Sequence, residues 1–238
     1  MKHKKLSSFI ILIFSILLSH SCKQTTKQAE NRSLNKTDSI PAVCIWDGLY
    51  FRDAPSRKAE FLSTLNLGES LVFLGREQVD TLSDNLEYLN IRLSDGTSGW
   101  ASKSGIVTGA TPAVVKEETP LYKRPDLLTI SDRRLKAMDV VAVDDKSDDW
   151  IKVTGERGRY EGWIKNVKVS LNKEDIALAV LSSRAFKTGE DKPLHEVVDE
   201  ILENNPYPNS IFVATLRDIA REDLEKNNLE NAIRDSWH

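Results

Sequence analysis

The chain has 238 residues, with 33 Lys and Arg against 36 Asp and Glu, a formal net charge of −3, two cysteines and four histidines. That balance argues against a nucleic-acid partner, because a polyanion needs a basic face standing out against the overall sign and no such cluster is written into the sequence. So few cysteines and histidines exclude a disulfide scaffold and a metal centre built on several histidines.

Residues 1–21 read as a secretory signal: MKHKK is the cationic start, and Leu6 to Leu18 is an apolar, uncharged run. A membrane span needs about 20 such residues, so the run is short for one. It ends in LLSHSC, with Leu18 four residues before Cys22 and Ser21 directly before it. This resembles the lipobox of bacterial lipoproteins. His20 stands where a small residue is usual and Ser19 replaces Leu at the third position before the cysteine, as in the looser boxes of spirochaetes. The resemblance implies cleavage before Cys22, a diacylglyceryl group on its thiol, and a protein lipid-anchored in the bacterial cell envelope, on the periplasmic or outer-surface side of a membrane. Stable anchoring takes two or more such chains.

The chain from Cys22 onward keeps 30 basic and 36 acidic residues, formally −6, over 217 residues. That length suits one large domain or two to three small ones. Once Cys22 is acylated, Cys44 has no disulfide partner, and a lone thiol between Val43 and Ile45 reads as a small core hydrophobe. His3 and His20 leave with the signal.

Residues 22–40 are rich in Lys, Asn, Thr and Ser, cannot bury enough apolar surface to fold, and read as a disordered tether. From Pro41 short apolar runs alternate with turn residues, the pattern of a small all-β unit. AVCIWD, GLYFRDAP, ESLVFLG, LEYLNIRL and SGWASKSGIV are the candidate strands. Asp95-Gly96 between the last two predicts a tight primed hairpin turn, since glycine accepts positive φ freely.

The hairpin recurs. EYLNIRLSDGTSGW, Glu87 to Trp100, has a counterpart in DWIKVTGERGRYEGWI, Asp149 to Ile164, each with an aromatic opening the strand and Gly-Trp near its close. Upstream, GLYFRDAPS matches PLYKRPD through Leu-Tyr-x-Arg, and LGESLVFLG matches KAMDVVAVD, with Met138 in place of glycine. Three blocks in one order indicate a tandem duplication. Their order resembles bacterial SH3-like domains, a good match over 41–110 and a degenerate one over 111–170. The resemblance implies two small five-stranded barrels and binding of peptidoglycan or of a protein or peptide partner, without catalysis.

From Leu171 the apolar period becomes helical. Asn172 is an N-cap candidate, Ile176, Ala179 and Val180 share a face, and Leu194, Val197, Val198, Ile201 and Leu202 follow Pro193 as a buried stripe. Phe212, Leu216 and Ile219, then Leu229, Ile233 and Trp237, continue the pattern, so 171–238 is a module of three or four helices. The expected fold class is α+β: two SH3-like β-barrels in tandem, then an α-helical module.

The acidic face Glu196, Asp199, Glu200 and Glu203 reads as a solvated helix face, and the DDKSDD run as a polar hairpin tip lacking the glycine and terminal glutamate of a calcium loop. His195 has no marked nucleophile beside it. The candidate ligand-binding residues are therefore Tyr50, Arg52 and Trp100 in the first copy and Tyr122, Arg124 and Trp163 in the second, where sugar rings or peptide backbones would stack on aromatic faces. The function expected is a non-enzymatic, lipid-anchored binding protein with no cofactor and no metal. Two other readings remain open: a surface lipoprotein that binds host molecules, and an accessory part of a cell-wall hydrolase.

Overall fold

The computed structural model describes residues 39–82 and 85–235; the signal, Cys22, the tether up to residue 38 and Trp237 lie outside them. Ser39–His238 forms a compact unit of its own. Its first sheet is built from β1 (Ile40–Cys44), β2 (Leu49–Arg52), β3 (Phe61–Leu65), β4 (Ser70–Asp80), β5 (Leu86–Arg92), β6 (Ser98–Ser102) and β7 (Ile106–Thr108). The second holds β8 (Thr111–Val115), β9 (Thr119–Tyr122), β10 (Ile130–Leu135), β11 (Val140–Ser147), β12 (Trp150–Gly155), β13 (Glu161–Lys165) and β14 (Val169–Ser170). Three helices follow: α1 (Lys173–Thr188), α2 (Leu194–Glu203) and α3 (Phe212–Asp235).

The strand orders, β3-β2-β6-β5-β4-β1-β7 and β10-β9-β13-β12-β11-β8-β14, coincide when each strand is advanced by seven. The duplication is thus written in the topology. The class is α+β, but the closed five-stranded barrels expected from the sequence are not what forms: each sheet has seven strands and two unjoined ends. The reason lies in the outer strands. β1 and β7 extend the ladder beyond β4 instead of returning to β3. The sheet curls all the same, at a bulge between Phe73 and Glu77, until Leu65 of β3 and Ile106 of β7 share one core with Cys44, Phe51, Leu89 and Ile91. β3 and its counterpart β10 are strands that sequence patterning missed, because at a sheet end each exposes all but its last residue at least in part and shows no apolar alternation.

β1 is buried on both faces. Ala42 and Cys44 enter the first core, whereas Val43 and Ile45 pack against Ala110 and Ala142, which joins the two sheets. Arg157 clamps this junction: its N–H donates to the Ile45 carbonyl at 2.8 Å and its guanidinium lies 4.5 Å from the Trp46 ring centre. Its φ of 56° and the positive φ of Gly158 make the primed turn, closed by Arg159 N–H to Glu156 O. The primed hairpin therefore belongs to the second copy. At Ser94–Gly96 only Gly96 has positive φ, Leu93 and Thr97 close a three-residue loop, and the Asp95 carboxylate accepts Thr97 N–H at 2.8 Å.

The helices pack on the second sheet. Val114 and Val140, on its outer face, and Leu67 of the first unit join Ile176, Leu178, Ala179, Val198, Phe212 and Leu216 in one core. Asn172 caps α1 as expected, accepting Glu174 N–H at 2.9 Å. Asp175, fully buried, accepts from Ser170 Oγ, Ser210 Oγ and Ile211 N–H at 2.6–3.0 Å, which compensates a charge removed from water and pins the start of α3. α3 then runs unbroken to Asp235, so among the described residues the module has three helices, and Leu229 points largely to solvent.

Candidate functional site

The predicted residues of the first copy come together on one sheet face. Tyr50 and Arg52 alternate along β2, and Arg52 stands opposite both Phe61 of β3 and Trp100 of β6. The Arg52 guanidinium lies 5.1 Å from the Tyr50 ring centre and donates to the Ala59 carbonyl at 2.8 Å, which holds the side chain down along the sheet. Phe61 meets Tyr50 edge-on at 5.9 Å. Tyr50 keeps 60% of its surface exposed and Phe61 52%, so two rings face water side by side.

Trp100 is half-buried and flanked by Arg76, whose guanidinium lies 5.9 Å from the indole and donates twice to Asn90 Oδ1. Asn90 is buried and passes the chain on, donating from Nδ2 to Gly99 O at 2.8 Å. Gly99 explains the Gly-Trp pair: a Cβ there would sit 2.5 Å from the Arg52 carbonyl and 2.6 Å from the Phe51 ring. The sequence reading missed Phe61, Arg76 and Asn90. Phe61 lies on the unrecognised β3, and Arg76 sits in a charged stretch that only the β4–β5 pairing brings back over Trp100.

The second copy does not build the same face. Trp163 stands opposite Tyr122, so Tyr122 occupies the place of Arg52, not of Tyr50, and the Leu-Tyr-x-Arg match is displaced by two positions. Gly162 agrees, crowding Tyr122 O and Leu121 as Gly99 crowds Arg52 O and Phe51. Arg124 consequently falls beyond β9 in an exposed turn, away from the aromatics. Tyr122, opposite the half-buried Trp163, instead packs edge-on against buried Trp150 at 4.9 Å, and Lys165 Nζ lies 4.0 Å from the Trp150 ring centre. Trp150 stands where the first unit has buried Tyr88, and Pro120 and Ile130 hold the places of Tyr50 and Phe61.

Other groups with chemical potential are occupied by structure. Burial pushes the Cys44 thiol up to about 12, and it donates to the Trp46 carbonyl. His195 pairs with Asp223 of α3, not with Asp199 on its own helix: Nδ1 lies 2.7 Å from Oδ2, which also accepts the His195 N–H. Those bonds hold the Asp223 carboxyl below the usual range. Of the acidic face on α2, Glu200 pairs with Lys192. Among the described residues no three His, Cys, Asp or Glu side chains converge as a metal site, and no helix is long and apolar enough to cross a membrane.

Fold and site together define an α+β protein of two matching antiparallel sheets and a helical module, with one open aromatic–arginine face. No protein-family model and no curated protein matches the chain. Two solved structures, NlpC2 and NlpC1 from Trichomonas vaginalis, are similar to it over 63% of its length, at 16% and 15% identity and TM-scores of 0.25 and 0.24. The match spans little more than half of those chains, 56% and 53%. A likeness at that TM-score carries no argument about activity.

Proposed function

We propose that this chain is a non-catalytic, lipid-anchored binding protein of the bacterial cell envelope, in which the first sheet unit recognises peptidoglycan or a peptide or protein partner. The observation that carries the reading is the face of Tyr50, Arg52, Phe61 and Trp100. Two adjacent exposed rings offer stacking area for a sugar ring or a peptide plane, and the arginine beside them offers a carboxylate partner. The helical module rests on the second unit and leaves this face open. Burial of Cys44, and the capture of His195 by Asp223 in a helix–helix contact, support a binding role over a catalytic one.

The test is co-sedimentation of the chain from Ser39 onward with purified insoluble peptidoglycan. Retention that is lost in Tyr50→Ala and Trp100→Ala, in variants still folded by circular dichroism, supports wall recognition. No retention of the parent chain sinks the wall reading and turns the search to a protein partner by pull-down. An isolated helical fragment is a poor control, because its core borrows Val114 and Val140 from the second sheet.

A further inference from the structure

The two units build the same turn after their second strand from opposite chemistry. In the first, Ser56 N–H donates to Ala54 O at 2.9 Å, Ala59 N–H to Ser56 O at 3.2 Å, and Lys58 N–H to Ser56 Oγ at 3.2 Å. In the second, Asp126 N–H donates to Arg124 O at 2.7 Å, Thr129 N–H to Asp126 O at 3.0 Å, and Leu128 N–H to Asp126 Oδ1 at 2.9 Å. Bond for bond, Leu127 and Leu128 stand where the first unit has Arg57 and Lys58. Leu127 is 63% exposed and Leu128 91%.

This exposure is held in place. The Thr129 hydroxyl lies 3.0 Å from Arg124 O and 2.8 Å from Asp126 O, and Lys123 N–H donates to Thr129 O, so the tip is a braced turn and not a loose loop. Lys123 and Arg124 open the turn, both exposed, and among the described residues neither has an ion-pair partner. Ile130, also exposed, extends the apolar tip towards β10.

The shape and charge select the occupant. A convex tip of three aliphatic side chains offers far less than the roughly 800 Å² per partner of a stable protein interface. Aliphatic tips beyond a cationic rim suit the boundary between headgroups and acyl chains, where apolar groups leave water and cations meet phosphates. The net acidity of the chain does not oppose this, since charges more than about 10 Å away are largely screened; within the turn the Asp126 carboxylate accepts the Leu128 N–H, and Lys123 and Arg124 outnumber it. We propose that the Leu127–Leu128 turn is a membrane-contact site, entering the interface of an anionic bilayer with Lys123 and Arg124 against the lipid phosphates. The surface is distinct from the Tyr50 face, and the proposal stands whatever that face binds.

The test is vesicle flotation of the chain from Ser39 onward, a compact unit with its own cores that carries no acyl group. Vesicles of phosphatidylcholine and phosphatidylglycerol in equal parts are compared with phosphatidylcholine alone. Flotation is expected with the anionic vesicles, weakened by salt. Leu127→Ser with Leu128→Ser reduces binding by about tenfold or more. Lys123→Gln and Arg124→Gln each weaken it about fivefold and flatten its salt dependence. Tryptophan placed by Leu128→Trp shifts its emission to the blue on anionic vesicles. Absence of flotation, indifference to phosphatidylglycerol, or flotation unchanged by the double serine variant overturns the proposal. So does self-association lost in the serine variant without vesicle binding, which would assign the tip to a second copy.

Discussion

Trp100 stands opposite Arg52 across the β2–β6 ladder, whereas Trp163, the equivalent indole of the repeat, stands opposite Tyr122. That register puts Pro120 and Ile130 where the first unit has Tyr50 and Phe61, so the second unit lacks the two open rings. It also gives Tyr122 and Arg124 opposite weights in stability.

Tyr122→Ala removes a half-buried ring packed on Trp150 and is expected to cost about 2 kcal/mol. Arg124→Ala removes an exposed side chain and should stay within about 0.5 kcal/mol of the parent. Urea unfolding of the two variants checks the displaced register; equal effects would restore the Leu-Tyr-x-Arg alignment.

Three glycine-to-alanine changes should fall in a fixed order. Gly48 has φ of 75° with open space around a Cβ, so alanine costs about 1–2 kcal/mol of left-handed strain alone. Gly68 has the same φ, and its Cβ would meet Val140 Cγ1 at 2.9 Å and Ile176 Cγ2 at 3.3 Å, which adds about 1 kcal/mol. At Gly99 the new atom would sit 2.5 Å from a backbone oxygen that cannot turn aside, and a loss of about 3 kcal/mol or more follows. Thermal melts rank the three.

Arg184 of α1 grips Asp47, with Nε 3.1–3.2 Å from both carboxylate oxygens and one Nη 2.6 Å from Oδ1, and the same Nη donates to Asn66. The contact ties the helical module to the first unit. Asp47→Ala should cost about 1–2 kcal/mol, the range of a partly exposed, doubly bonded charged pair. The arginine holds the Asp47 carboxyl below its ordinary 3.8. A depressed folded value means the contribution is present above about 3.8 and is lost as pH falls through the lower folded value. Acid titration of stability should therefore be flatter in Asp47→Ala than in the parent.

Cys44 carries the opposite sign. Its thiol ionises near 9.0 when unfolded and about 12 when folded, so stability is complete below 9 and declines as pH climbs from 9 towards 12. Cys44→Ala should lose that part of the alkaline decline. The native thiol should resist iodoacetamide at neutral pH and react once the chain is unfolded in guanidinium; labelling of the native protein at the unfolded rate would contradict its burial.

Much of the architecture is legible in the residues themselves. Gly-Trp recurs because a strand crossing close over its neighbour has no room for a Cβ, and that steric demand survives while other positions drift. Met138 shows the drift: it keeps the left-handed φ of Gly68, at 71°, and the same bond to the strand before it, Met138 N–H to Val115 O, matching Gly68 N–H to Cys44 O. Its side chain then packs into the helical core, which offsets strain that glycine avoids. The stripes of α1 and α2 were readable for a similar reason, as one face of a helix meets one surface.

Composition, apolar period and repeated dipeptides therefore determined that two related β units precede a helical module, because those signals are local and each residue carries its share. Tertiary structure alone decided the rest: that β1 and β7 extend the sheets instead of closing them, that Phe61 and Arg76 join the Tyr50 face, and that Arg124 leaves it. Each of these depends on which strand lies beside which and in what register. A shift of one residue turns a side chain to the other face, and a shift of two gives it another partner, while the local pattern stays unchanged.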